Sequence, residues 1–221
     1  IIFAQTAIMQ GIWLYFDELK VPGLPLYIAL AVGIVAGVVL WINRREKWGV
    51  KTSTRLMALI FAFGCFVLLV GGRAVIPSAI GFLCFGFGFA GGMYLIPLMN
   101  GDVVDFDEHK TGLRREGMYA GINSLITKPA ISIAQWALLT IITVYGYDQT
   151  LAKGMQPASA QTGILVGWLA PTGALLLICF FVLVLYPLAG EAWEAIKQKL
   201  AQVHREKEKE YLEAHGYRFV E

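Results

Sequence analysis

Residues 102–128 read DVVDFDEHKTGLRREGMYAGINSLITK, and the rest of this mostly apolar chain is organised around them. The first fifteen positions hold eight charged residues, namely Asp102, Asp105, Asp107, Glu108, Lys110, Arg114, Arg115 and Glu116. The stretch then enters an apolar helix that carries a lone lysine, Lys128. An ionisable residue within a membrane span is costly and by default marks a functional site. The stretch therefore indicates a membrane protein whose function involves Lys128.

The composition of the chain supports a membrane protein. Of its 221 residues, 57% are hydrophobic and only 15% are charged, whereas soluble domains carry about 25% charged residues. The net charge of +2 gives no general signal for nucleic-acid binding. The three cysteines lie in apolar runs, the three histidines are scattered, and no metal-ligand spacing, phosphate loop or nucleophile motif is present. We therefore expect neither an enzyme nor a bound metal.

Hydropathy predicts an all-α fold, a polytopic bundle of six transmembrane helices followed by a tail. A helix needs roughly 20 apolar residues to cross the hydrocarbon core. The bundle is predicted over residues 1–186, with spans at about 1–16, 24–42, 56–72, 74–101, 118–145 and 163–186. A basic loop, 43–55, and the charged loop 102–116 separate some of these spans. Because Ile1 lies inside an apolar run and is not a methionine, we expect a further segment before it.

The basic residues predict the orientation of the bundle. Six spans place loops 43–55 and 102–116 and the tail on one side, with fourteen Lys and Arg residues against three on the other. Loops rich in Lys and Arg stay in the cytoplasm. We therefore expect both loops and the C-terminus to be cytoplasmic, in a protein of the plasma (inner) membrane.

The tail, residues 187–221, is predicted to be an amphipathic helix. Trp193, Ile196, Leu200 and Val203 recur at helical spacing among Glu and Lys residues. Such a helix lies on the inner membrane face or on the cytoplasmic loops.

The acids of the 102–116 loop are spaced three residues apart at Asp102, Asp105 and Glu108. If the fourth helix continues this far, they share one helix face. They can pair with Arg114 and with the basic loop 43–55 in a network that closes a cytoplasmic gate. A solvated loop with no gating role explains the same composition, and both interpretations stay open.

The fifth span carries a polar stripe. At 100° per residue, one arc of about 140° holds Ser124, Thr127, Lys128, Ser132 and Gln135. A polar stripe within a span faces a water-filled cavity or other polar groups, because lipid cannot solvate it. No other span of this chain has a carboxylate in its interior. The partner of Lys128 is therefore expected in a preceding segment or in the substrate itself. The alternative is a structural lysine paired to an acid on another helix.

The run DVVDFDEHKTGLRREG followed by INSLITK resembles the glycoside–pentoside–hexuronide:cation symporter family, the melibiose permease-like branch of the major facilitator superfamily. The matching positions are Asp102, Asp105, Phe106, Glu108, Lys110, Arg114, Glu116 and Lys128. The resemblance covers essentially the whole chain, as the last six of twelve helices. It implies a sugar or related solute moved with Na⁺, H⁺ or Li⁺ by alternating access of two six-helix halves.

The resemblance also implies roles for single residues. Lys128 matches a lysine between the cation and sugar sites, and Asn123 and Ser124 match a polar pair near them. Asp102, Asp105 and Arg114 match a cytoplasmic charged network, which Glu108 and Glu116 extend. Met93, with Tyr94 beside it, stands where the family has a sugar-stacking tryptophan, which disfavours a galactoside. The coupling ion, Na⁺ or H⁺, would bind mainly in an N-terminal half.

These observations leave three functions open. The first is a cation-coupled symporter of a sugar, glycoside or related solute. The second keeps the fold but moves lysophospholipids with Na⁺, and the third is a membrane scaffold or sensor. The expected partners are the lipid bilayer, an N-terminal six-helix half and a small-molecule solute, with no nucleic acid.

Overall fold

The computed structural model describes residues 11–215 and 217, and the regular elements of this part are all helices. Residues 11–18 are helical. The elements that follow are α1 (Gly23–Gly71), α2 (Val75–Thr111), α3 (Glu116–Val144), α4 (Ala158–Val182), a 3-10 turn (Leu183–Leu185) and α5 (Glu191–Ala214). The first four are long and apolar enough to cross a membrane. The all-helical fold is thus confirmed. The count of six spans stays a prediction, because most of the predicted span 1–16 lies outside the described residues.

Helix α1 is a hairpin of two limbs. Its 49 residues would extend about 73 Å as one straight helix, more than twice the hydrocarbon thickness. The backbone leaves helical geometry at Gly49, with φ 74° and ψ 159°. Both limbs pack on the same part of α2, but their contacts run in opposite orders: Gly33–Leu83 and Gly37–Phe87 for the first limb, and Met57–Gly91, Phe61–Gly88 and Leu68–Gly81 for the second. The two limbs are therefore antiparallel, which fits separate spans at 24–42 and 56–72.

The prediction of a loop over residues 43–55 is wrong. These residues are helical on both sides of a single break at Gly49. Arg44, Arg45, Glu46 and Lys47 all have good helix propensity, and a glycine with positive φ makes the reversal without a longer loop. Hydropathy alone cannot separate a polar helix end from a loop.

The loop predicted over 102–116 is also much shorter than expected. Helix α2 continues to Thr111, ten residues beyond the predicted end of its span. Gly112 then adopts the left-handed conformation, with φ 70°, and its N–H donates to the carbonyl of Glu108. This is a common helix stop, and it leaves only residues 112–115 as the connection to α3.

Close approach of α1 and α2 depends on small residues. A Cβ at Gly33 would lie 2.2 Å from the carbonyl oxygen of Leu83, and one at Gly88 would lie 2.4 Å from Cβ of Phe61. Between membrane helices, packing rather than the hydrophobic effect provides the attraction, and glycines let the backbones meet. The buried aromatic rings of Phe61, Phe82, Phe85 and Trp168 fill the space around these contacts.

Helix α3 lies at the edge of the bundle. It packs against α4, and its buried residues are Ala134, Leu138 and Ile142, all in its second half. Polar and apolar side chains of its first half are exposed, among them Leu125 at 74% and Ile126 at 66%. This half of α3, which includes Lys128, is left uncovered by the described part of the chain.

The connections gather at two ends of the bundle. At one end, which we call the charged end, residues 45–50, the last turns of α2 and the start of α5 line one cavity. At the opposite end, the Tyr15 hydroxyl donates to the carbonyl of Gly72 at 2.6 Å. There the guanidinium of Arg73 also donates to the hydroxyl of Thr162 at 2.6 Å. The three segments predicted to share the cytoplasmic side therefore do meet at one end.

Candidate functional site: a charged helix junction and an uncovered lysine

Arg114 stands at the centre of an ion-pair cluster at the charged end. Its guanidinium nitrogens lie 2.6 Å from Glu116, 2.9 Å from Glu108 and 3.6 Å from Asp105. Glu108 is only 5% exposed. Burial lowers the pKa of Arg114, but the hydrogen bonds that its guanidinium donates to Glu116 and Glu108 outweigh this effect and raise the pKa above its usual value. We call Asp105, Glu108, Arg114 and Glu116 the Arg114 cluster.

The tail helix α5 is docked on this cluster. Nε2 of His204 lies 2.8 Å from a carboxylate oxygen of Glu108, and Nζ of Lys197 lies 3.5 Å from Asp102. The indole ring of Trp193 packs edge-on against Phe106, with ring centroids 6.0 Å apart. These contacts place one side of the tail helix against the end of α2 and its charged residues.

The predicted gate residues are therefore split between two partners. Asp105, Glu108 and Glu116 surround Arg114, whereas Asp102 faces Lys197 of α5. The helix does continue past Asp102, Asp105 and Glu108, to Thr111, which was the condition under which these acids were expected to share one face. The tail residues Trp193, Lys197 and His204 were not among the predicted site residues. The amphipathic spacing of the tail indicated its apolar face, but it did not indicate which acids of α2 the polar residues Lys197 and His204 would contact.

A second ion pair flanks the cluster. Nε of Arg115 donates to a carboxylate oxygen of Asp107 at 2.8 Å. This hydrogen bond raises the pKa of Arg115. Adjacent residues Arg114 and Arg115 thus hold different acids of the same helix end, which fixes the short connection between α2 and α3.

The basic segment 43–55 does not supply the predicted partners. Among the described residues, no ion pair joins it to the 102–116 segment. Instead, the ammonium of Lys51 donates to the carbonyl oxygens of Val184 and Tyr186 at 2.9 and 2.6 Å. A cation at a helix C-terminus satisfies free carbonyls and opposes the helix dipole. Lys51 therefore caps the chain segment that follows α4.

Lys128 lies on the uncovered half of α3, about 18 Å from the helix start by helix rise. Its side chain is exposed. Together with Ser124 it lines a shallow groove of about 360 Å³ whose other walls are Gly121, Leu125 and Pro129. Small and hydroxyl-bearing residues leave space beside the ammonium. Lys128 thus carries its ammonium in a mostly apolar groove on the uncovered half of α3.

The remaining predicted site residues are spread over α2 and α3. Asn123 lines a separate cavity next to the Arg114 cluster. Thr127 is half-buried and Gln135 is exposed. Met93 is 62% exposed, while Tyr94 lies under the guanidinium of Arg45, 5.9 Å from its ring centroid. Lys128 and Ser124 are therefore the predicted residues that share the groove.

Metal coordination has no candidate in the described part of the chain. There, no group of three or more His, Cys, Asp or Glu side chains is arranged to hold a metal ion.

Comparison with known proteins identifies the class. The profile of the MFS/sugar transport protein family matches residues 24–190. The chain therefore belongs to this family of membrane transport proteins, and the predicted resemblance to melibiose permease-like members is confirmed. The predicted integral membrane character agrees with this family and with the four membrane-length helices.

One relative carries a more specific name. The isoprimeverose transporter of Lactiplantibacillus pentosus is 31% identical over 145 residues, which make up 62% of this chain and 28% of the relative. The chain thus spans well under half the length of the curated relative it matches. No solved structure matches it significantly.

Proposed function

We propose that this chain is part of a cation-coupled symporter that moves a sugar or glycoside by alternating access. The observation that carries the proposal is the position of Lys128, an exposed ammonium in a groove halfway along an apolar helix. A charge at this depth is retained against a large cost in free energy, which is typical of substrate and ion pathways. The sugar-transport family of the chain and its isoprimeverose-transporting relative support the cargo class.

The uncovered half of α3 supports a partner for Lys128 outside the described residues. In our proposal, carboxylates of an N-terminal six-helix half face this lysine, and binding of Na⁺ or H⁺ and of the sugar changes their pairing. Transport then requires Lys128 to exchange partners during each cycle. Ser124 beside it offers a hydroxyl that can both donate and accept hydrogen bonds.

The Arg114 cluster and α5 are proposed to close the cytoplasmic side. Single ion pairs at a surface contribute little, but a network in which one acid is buried is harder to open. Because the Arg114 cluster lies at the junction of α2, α3 and α5, movement of α3 must stretch or break these contacts. Under this proposal, the protein lies in the plasma membrane and its charged end faces the cytoplasm.

The experiment that tests the function uses the native protein, as its gene encodes it, in proteoliposomes. A Na⁺ or an H⁺ gradient is imposed, and uptake is followed for a panel of isoprimeverose, xylose, melibiose, glucuronic acid and lysophosphatidylcholine. Liposomes without protein and liposomes with a collapsed gradient are the controls. We expect gradient-driven accumulation of at least one sugar. Accumulation of the lysophospholipid alone would show that the cargo is a lysophospholipid and not a sugar. No uptake under either gradient would contradict the proposal.

A further inference from the structure

The cavity lined by Asn123 lies between α2 and α3, nearer the charged end than Lys128. Its volume is about 410 Å³, within the range of small-molecule sites. Val103, Val104, Ala120, Ile122 and Ile126 supply apolar walls. Polar groups come from Asn100 on α2, and from Tyr119 and Asn123 on α3. Such a cavity, mostly apolar with a few converging polar groups, is the usual form of a ligand site.

The charges at one rim of the cavity favour an uncharged ligand. Arg114 and Glu116 both line it, yet the guanidinium is already held by Glu116, Glu108 and Asp105. Three carboxylates around one arginine leave no free positive charge to attract an anion. A phosphate or carboxylate ligand would instead meet an excess of acid at close range.

The uncharged polar groups have the chemistry that sugars require. Each asparagine amide offers two donors and one acceptor oxygen, which can bridge neighbouring hydroxyls. Tyr119 adds an aromatic ring and a hydroxyl at the cavity wall. The apolar walls suit the C–H faces of a sugar ring. Asn100 and Asn123 approach from different helices, so a sugar bound here would contact both α2 and α3.

The cavity lies between two functional elements. Along α3, Asn123 precedes Lys128 by five residues, about 7.5 Å of helix rise, and it follows the Arg114 cluster. We propose that this cavity is a second subsite, a vestibule that holds an uncharged sugar between the Lys128 groove and the charged end. Asn100 and Tyr119 are its specificity-determining residues. This inference rests on the proposed sugar transport.

The test compares the two faces of the membrane. Initial rates of uptake of the panel compounds are measured in right-side-out and inside-out vesicles that contain the native protein or its variants. We expect Asn100→Leu to raise the apparent KM for the transported sugar about three- to tenfold, the loss of one hydrogen bond, when sugar is offered at the charged end. The apparent KM at the other face should change less than about twofold.

Two further variants separate recognition from folding. Tyr119→Leu should reproduce the one-sided effect, and Tyr119→Phe, which keeps the ring, should retain most of the affinity. Asn43→Leu makes the same change at an exposed position of α1 outside this cavity. It should leave the apparent KM for the sugar unchanged at both faces of the membrane.

The outcomes distinguish the subsite from the function on which it rests. Equal effects of Asn100→Leu at both faces, or no effect at either, would overturn the subsite while sugar transport stands. Preference of the native protein for glucuronic acid over every neutral sugar would also overturn it. Absence of any uptake by the native protein would overturn the proposed function itself.

Discussion

Glu108 and His204 lie 96 positions apart in the sequence, and their side chains meet at 2.8 Å. The same carboxylate accepts a hydrogen bond from Arg114 at 2.9 Å. One buried acid therefore joins the end of α2, the connection to α3 and the tail helix α5. Any movement that separates α5 or the α2–α3 connection from the end of α2 must cost Glu108 at least one of these two partners.

Docking of α5 depends on Trp193, which is 4% exposed. Trp193→Ala removes the ring that packs on Phe106, and loss of a buried Trp costs about 3–5 kcal/mol in well-packed cores. We expect trypsin to cleave the tail at Lys197 and Lys199 much faster in this variant. Tyr211→Ala, at a position of α5 that is 63% exposed, is the matched control. Equal protection in all three proteins would show that α5 is held by other contacts.

Arg114→Ala is expected to slow transport more than it weakens sugar binding. The substitution leaves one oxygen of the buried Glu108 carboxylate without its guanidinium partner, while the other oxygen keeps His204. A buried acceptor that loses its partner costs about 1–3 kcal/mol. The cost should fall near the lower end because Arg114 is 44% exposed and water can replace it. Transport rates, sugar affinity and thermal unfolding in detergent would be measured together.

The double variant Arg114→Ala with Glu108→Gln provides the control for this prediction. Neutralising Glu108 removes the buried charge that Arg114 no longer balances, so the double variant should recover part of the lost stability. An unchanged transport rate with altered sugar affinity would contradict a gating role for Arg114.

Close packing of α1 on α2 gives a prediction about stability. At Gly33 a new Cβ would collide with the backbone of Leu83, which cannot move aside. We expect Gly33→Ala to destabilise the protein by about 1–3 kcal/mol, as overpacking does, and to lower its unfolding temperature in detergent. Gly121→Ala, with open space around the new Cβ, should not. A Gly33→Ala protein as stable as the native one would refute the close approach of α1 and α2.

The loop after α3 gives a pH-dependent prediction. The hydroxyl and the backbone N–H of Thr150 both donate to Asp148, at 2.7 and 2.8 Å. These hydrogen bonds lower the pKa of Asp148. A lowered pKa in the folded state means that the stabilisation is present above the unfolded pKa and is lost as pH falls through the folded one.

Thr150→Ala should therefore raise the pKa of Asp148 toward its usual value, measured by a carboxyl ¹³C titration. Thr143→Ala removes a hydroxyl that donates to the carbonyl of Leu139 and should leave Asp148 unchanged. A pKa of Asp148 that is the same in the Thr150→Ala and native proteins would mean that the backbone N–H alone determines it.

The fold was predictable where hydropathy and periodicity decide it. The helices α3 and α4 followed from the length of their apolar runs. A shared face for Asp102, Asp105 and Glu108 followed from their spacing only on the condition that the fourth helix continues to Glu108. The helical character of 43–55 and of 102–111 did not, because polar helix ends beyond the apolar core have the composition of loops. The break within α1 lies at Gly49 and the end of α2 at Gly112, and both glycines have positive φ.

The candidate site was predictable residue by residue but not as an arrangement. Lys128 stands out as the charge within an apolar helix, and the acids around Arg114 are close in sequence. The contacts of His204, Lys197 and Lys51 join positions about 90 to 135 apart, and only the tertiary fold brings such positions together. The shared cavity of Asn100, Tyr119 and Asn123 likewise depends on how the fold places α2 and α3 relative to each other.

The most direct test of the central proposal is sugar accumulation by Lys128→Gln in proteoliposomes under an imposed cation gradient, with Lys199→Gln in the exposed tail helix as control. Gln keeps a polar side chain of similar length, so folding should be largely intact. We expect gradient-driven accumulation to fall at least tenfold in Lys128→Gln and to stay normal in the control. Normal accumulation by Lys128→Gln would contradict a coupling role for this lysine.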